Sequence, residues 1–149
     1  MAKKNAKSMR RVCEVAAEWY AHEILKCIVT CRAVRTKWQS QDMFASDVIG
    51  KKESGKMVFL QATAGQNSAV SIRRKKLTEI PWANTDVVQV LQLVSTEDPA
   101  NSRRKLFFFR VHKYRIVTHR SVRKWITSTE AIPIPREWFK SYKNNKPTN

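Results

Sequence analysis

Acidic residues are scarce in this chain: 12 Asp and Glu stand against 29 Lys and Arg, a formal net charge of +17 over 149 residues. That imbalance exceeds what solubility requires and points to a polyanionic partner, because neutralising phosphates releases their condensed counterions. A membrane-surface protein or an assembly scaffold would share the charge. The 5 Trp and the spread of basic residues through the whole chain favour nucleic acid over either. Glycine and proline are sparse too, 3 and 5 residues beside 42% hydrophobic, which excludes a disordered, low-complexity chain. No apolar run approaches the roughly 18 residues of a membrane span and no signal peptide is evident, so an intracellular, cytoplasmic protein is expected. The three cysteines Cys13, Cys27 and Cys31 are an odd set in apolar segments. Cys27 and Cys31 fall on one face of a predicted strand, too far apart for a disulfide. The 3 histidines show no ligand spacing beside them, so buried free thiols are expected rather than a zinc site.

The length suits one domain with a single core. Residues 1–11, MAKKNAKSMRR, read as a flexible basic arm carrying Lys3, Lys4, Arg10 and Arg11; 12–139 form the domain; KSYKNNKPTN, 140–149, reads as a disordered tail. Helical spacing of Val12, Ala16, Trp19 and Tyr20 predicts a first helix from about Met9 to Ile24, with Glu14 and Glu18 opposite and Glu23 near the apolar side. Leu25–Val34 reads as a strand, and 47–49 and 57–64 flank the turn KKESGK as a hairpin. A second helix is expected over Asn67–Ile80, with Val70 and Leu77 inward, ended by Pro81. Val87–Val94 and Lys105–Val117 read as paired strands around a polar loop, STEDPANSRR, and the remainder as an irregular segment packing back with Trp125 and Trp138. The fold class is α/β, a mixed sheet flanked by helices.

The segment from Asp42 to Lys76 concentrates the chemistry. Asp47 closes one short strand-like segment, and the strand that follows carries Gln61 and Thr63 on one face. If the two pair, the Asp47 carboxylate and the Gln61 amide oxygen can converge on one divalent cation. The basic run Arg73, Arg74, Lys75 and Lys76 comes next on a helix suited to meeting phosphates, and Arg103 and Arg104 in the polar loop reach the same ligand. Against this, Asp47 could cap a turn, Asp42 reads best as an Asx turn residue, and Thr63 could signal only strand propensity. Phe108, Arg110, His112 and Tyr114 share one strand face that could stack bases, although a covered face is preferred; a catalytic His112 or His119 has no partner at a recognisable spacing.

With its acid at one strand, a functional pair on the next and a basic helix beyond, the chain resembles the PD-(D/E)XK nuclease superfamily over residues 9–117. DMFASDVIG, VFLQATAGQN and SIRRKKL look like a group of small phage and prophage proteins. The resemblance implies a restriction-endonuclease-like α-β-β-β-α-β core and a DNA endonuclease, in the manner of Holliday-junction resolvases, using Mg²⁺ or Mn²⁺. It also implies a homodimer, in a host cell or virion-associated. Asp47 matches the metal-binding Asp, Gln61 takes the (D/E) position and Thr63 the Lys position. Two departures matter: Gln61 is a weaker donor to a hard dication than a carboxylate, and Thr63 carries no cation. The missing acid would come from the first helix, Glu14, Glu18 or Glu23, with Glu18 preferred; the missing lysine from Lys75 or Lys76. The rival readings are a catalytically inactive nucleic-acid-binding protein on the same fold and a virion or nucleoprotein structural protein.

Overall fold

The structure is a computed structural model that describes residues 2–33, 44–117 and 122–144. The elements run α1 (Ala2–Glu23), β1 (Cys27–Arg32), β2 (Val48–Lys52), β3 (Met57–Thr63), α2 (Asn67–Thr78), β4 (Val87–Asp98), β5 (Asn101–Ile116), β6 (Arg123–Thr127), β7 (Ile132–Pro133) and α3 (Arg136–Asn144). The strands form one sheet in the order β1-β2-β3-β4-β5-β6, and β7 also pairs with β5. All neighbours are antiparallel except β3 and β4, which run parallel. A parallel pair needs a crossover, and α2 supplies it. The chain is therefore α/β with a mixed sheet.

The central strands β3 and β4 alternate between two buried faces, whereas β1 and β6 at the edges are largely exposed. Val58, Leu60 and Ala62 of β3, Leu91 and Leu93 of β4 and Phe109 and Val111 of β5 join one core with Cys13, Ala16, Ala17, Tyr20 and Ala21 of α1. The alanines let the helix approach the sheet closely. Tyr20 meets Phe109 edge-to-face at 6.0 Å and donates its buried hydroxyl to Gln89 Oε1 at 2.8 Å, which satisfies two polar groups at once. On the other face Val88 and Val90 meet Val70 and Leu77 of α2, with Trp82, Tyr114 and Trp125 packed around them.

Several expectations are corrected in detail. α1 extends over the segment expected as an arm, a run without glycine, proline or β-branched residues that opposes a helix nowhere. Its buried stripe centres on Cys13, Ala17 and Tyr20, and Glu23 is exposed at its end. Cys31 is exposed, not buried. The pairing of β1 slips between Cys27 and Val29, a bulge that leaves Cys27 in the core and turns Val29 and Cys31 outward. The polar loop shrinks to a tight turn, because β4 and β5 pair out to Asp98 and Asn101; Asp98 Oδ1 accepts from Ala100 N at 2.9 Å and closes it. Arg103 and Arg104 accordingly lie on β5, exposed, and not in a loop. The segment expected to be irregular forms β6, β7 and the start of α3, and α3 continues to Asn144 through residues expected as a disordered tail.

Candidate functional site

Contrary to expectation, Asp47 does not close a strand but precedes β2 and is tied to both neighbouring strands. Its N–H donates to Leu60 O at 2.8 Å and its carbonyl accepts from Ala33 N at 2.8 Å. The carboxylate, 3% exposed, accepts from the backbone N–H of Ala62 at 2.9 Å through Oδ2. Ala62 is the residue between Gln61 and Thr63, so this charge-assisted bond fixes the acid against the middle of the Q-x-T triplet. Pairing of β2 with β3, Val48 opposite Leu60, sets that register.

Gln61 and Thr63 are 2% and 5% exposed, on the sheet face opposite α1. The Gln61 amide nitrogen donates to Ala45 O, in the turn that leads into Asp47. Thr63 Oγ1 accepts from Gly65 N at 2.9 Å. Gly65 has no room for a side chain: a Cβ would stand 2.6 Å from Ala69 Cβ and 3.1 Å from Thr63 Oγ1. The sharp exit from β3 into α2 depends on that bare backbone. Beyond it lies an open cavity of about 720 Å³, lined among others by Gly65, Gln66, Ser68, Gln92, Ser95 and Arg110. It begins after Thr63, and neither Asp47 nor Gln61 lines it.

Burial pushes the Cys13 thiol up to about 12, helped by the Asp47 and Glu14 carboxylates and opposed by Arg73. Asp47, Glu14 and Arg73 thus act on one buried position beneath the sheet. Glu14 also pairs with Arg10 at 3.5 Å. Glu18, the preferred acid of α1, is engaged along β1: it accepts from Thr30 Oγ1 at 2.9 Å and faces Arg32 Nε at 3.7 Å. On α2 the basic run divides. Lys75 and Lys76 are exposed, whereas Arg73 and Arg74 are half-buried, each with its Nε buried and without a hydrogen-bond partner. Arg11 is exposed on α1. The side chains of Lys3 and Lys4, together with Asp42 and His119, lie outside the described residues.

A polar network under α2 was not foreseen. Arg74 donates to His112 Nδ1 at 2.7 Å and to Thr127 Oγ1 at 2.9 Å, and its guanidinium stands 5.4 Å above the Trp125 ring. Arginine has only donors, so Nδ1 accepts and the ring proton sits on Nε2, which faces Gln92 Oε1 at 3.1 Å. Gln92 Nε2 in turn donates to Gly65 O at 3.2 Å. Burial, and then Arg74 and Arg110, lower His112 to about 4. The chain Arg74–His112–Gln92–Gly65 ties α2 and its entry turn to β4, β5 and β6. The one advance sign was His112 on an alternating strand face with Arg110 and Tyr114; its partners come from distant segments.

Among the described residues no three His, Cys, Asp or Glu side chains cluster as a metal-binding group, and no helix is long and apolar enough to cross a membrane. Compared with known protein families, characterised proteins and solved structures, the chain matches none.

Proposed function

We propose that this chain binds nucleic acid, DNA first, and hydrolyses its phosphodiester bonds with a divalent cation at Asp47, on a core related to that of the PD-(D/E)XK nucleases. The observation that carries this reading is the 2.9 Å bond from Ala62 N to Asp47 Oδ2, which brings the acid to the Q-x-T triplet in a chain of net charge +17. The element order α1-β1-β2-β3-α2-β4 agrees with it.

The donors present fit a cation in part. Asp47 would offer a carboxylate oxygen and Gln61 its amide oxygen, since the Gln61 nitrogen is occupied at Ala45. Mg²⁺ or Mn²⁺, when bound, would polarise the scissile phosphate and lower the pKa of an attacking water. The protein's own groups would do the rest. Burial of Asp47 keeps its carboxylate oriented, and the exposed Lys75 and Lys76 of α2 would bring positive charge to the phosphates. Glu14 is better disposed than Glu18 to add negative charge near Asp47, because it shares the Cys13 surroundings while Glu18 is held by Thr30 and Arg32.

A second reading is a nucleic-acid-binding protein without catalysis. It is favoured by the fact that Gln61 and Thr63 both make local backbone bonds and neither brings a charge. The test is a cleavage panel of duplex, single-stranded and four-way-junction DNA and RNA, with Mg²⁺ or Mn²⁺, for wild type, Asp47→Ala and Asp47→Asn. The asparagine keeps an acceptor for Ala62 N–H, so it separates loss of charge from loss of fold. Cutting that needs the metal and disappears in both variants supports hydrolysis. Tight binding with no cutting, indifferent to EDTA and to both variants, overturns it and leaves the second reading.

A further inference from the structure

Two adjacent residues just before Asp47, Phe44 and Ala45, have φ of 49° and 52°. This left-handed region is one that residues with a Cβ seldom adopt, and two in succession persist only where the surroundings impose them. Here the surroundings are two buried polar side chains. Ser46 Oγ donates to Phe44 O at 3.0 Å, and the Gln61 amide nitrogen donates to Ala45 O. A glutamate or aspartate at position 61 would have no hydrogen to donate once ionised. The neutral side chain that weakens the metal set is therefore the one able to hold this turn.

The turn displays an aromatic ring. Phe44 is 63% exposed, and it is the one aromatic among the exposed large apolar side chains of the described residues. It meets Phe59 edge-to-face at 6.0 Å, and Phe59 lies 4.6 Å from Trp82. An edge-to-face contact of that kind braces the ring while covering one face at most. A braced, solvent-facing ring close to the acid of a strongly basic protein has the chemistry of a stacking platform, since every base offers a π-face and phosphates suit a chain of net charge +17.

We infer that Phe44 stacks on an unpaired nucleobase of the bound substrate, and that Gln61 is the positioning residue that holds Phe44 in place through Ala45. This rests on the nucleic-acid reading above and extends it: the preferred ligand has unpaired bases, as a single strand or a branch point does, because a base inside a duplex has no free face.

The test is fluorescence anisotropy of wild type, Phe44→Ala, Phe44→Leu and Phe44→Tyr, in EDTA so that no strand is cut. The probes are a single-stranded oligonucleotide, a four-way junction and a blunt duplex. Phe44→Ala should weaken binding to the single strand and the junction about tenfold and change duplex binding less than about twofold, the loss expected for one base–aromatic stack. Phe44→Tyr should restore affinity and Phe44→Leu should not. Quenching of 2-aminopurine in the single strand should follow the same order. Equal binding of all probes by wild type and Phe44→Ala, or full rescue by leucine, overturns the stacking role and leaves the nucleic-acid reading standing. Wild type that binds duplex alone does the same. Wild type that binds no probe removes both.

Discussion

Acidification should loosen this fold through one side chain, and the size of the effect follows from the structure. His112 is 5% exposed, with its Nδ1 accepting from Arg74 and its Nε2 facing Gln92. A second proton would have to enter at Nδ1, beside a guanidinium and away from water. Its affinity for that proton therefore falls to about 4, from the ordinary 6.5. The unfolded chain takes up the proton as pH drops through about 6.5, while the folded chain refuses it until about 4. The contribution is fully present above the unfolded value, declines as pH falls through this window and levels off below it. At about 1.36 kcal/mol per pH unit the whole gap amounts to about 3 kcal/mol, and solvent screening around exposed Arg110 reduces the working figure to about 2 kcal/mol at pH near 4.5. That is a sizeable share of the roughly 5–15 kcal/mol that holds an ordinary domain together. The assay is urea denaturation of wild type and His112→Gln at about pH 7 and pH 4.5. Carboxylates titrate in this range too, so the difference between the two proteins isolates the histidine. His112→Gln should be less stable at neutral pH by about 1 kcal/mol, for the lost Arg74 bond, and should lose about 2 kcal/mol less on acidification. Parallel pH slopes for the two proteins, or an imidazole NMR titration centred near 6.5 in the folded wild type, would refute the reasoning.

Tyr20→Phe removes the buried hydroxyl that donates to Gln89, leaving a buried amide oxygen short of a donor; a loss of about 1–2 kcal/mol is expected in urea denaturation, with far-UV circular dichroism unchanged. Gly65→Ala forces a methyl to within 2.6 Å of Ala69 Cβ, so it should cost about 1–3 kcal/mol in the same measurement; a stabilised protein would show that the β3–α2 exit is not tightly closed.

What could be read from the chain in advance was what local patterning controls. Alternation along VVQVLQLV and KLFFFRVHKYRIV located β4 and β5, and helical spacing located α2 and the end of α1, though not the start of α1. The turn KKESGK was legible because Gly55, at φ 90°, occupies a conformation glycine adopts freely. The pairing of Asp47 with β3 followed from the same alternation. Other features depended on contacts between distant segments. The bulge that turns Cys31 outward is a property of how β1 meets β2, and no composition of CIVTCR announces it. Asp98 to Asn101 looked like a loop because the residues are polar, yet backbone pairing with exposed side chains needs no apolar pattern. The strained turn at Phe44 was invisible for a related reason. Neither Phe nor Ala advertises a left-handed conformation, and the Gln61 and Ser46 side chains that impose it act on the backbone. The Arg74–His112–Gln92 chain joins α2, β5 and β4, which only the folded sheet brings together.

The slip in β1 sorts the three thiols by reactivity. Cys13 is held protonated by burial, and Cys27, raised in the same direction, sits under Gly50, where a Cβ would stand 2.7 Å from its sulfur. Cys31 alone looks outward, on the edge strand. Since the thiolate is the attacking species, an electrophile meets one competent sulfur and two shielded ones. The unaltered protein thus carries a single native attachment point for a spectroscopic label, on the far side of β2 from the strand that bears Gln61 and Thr63.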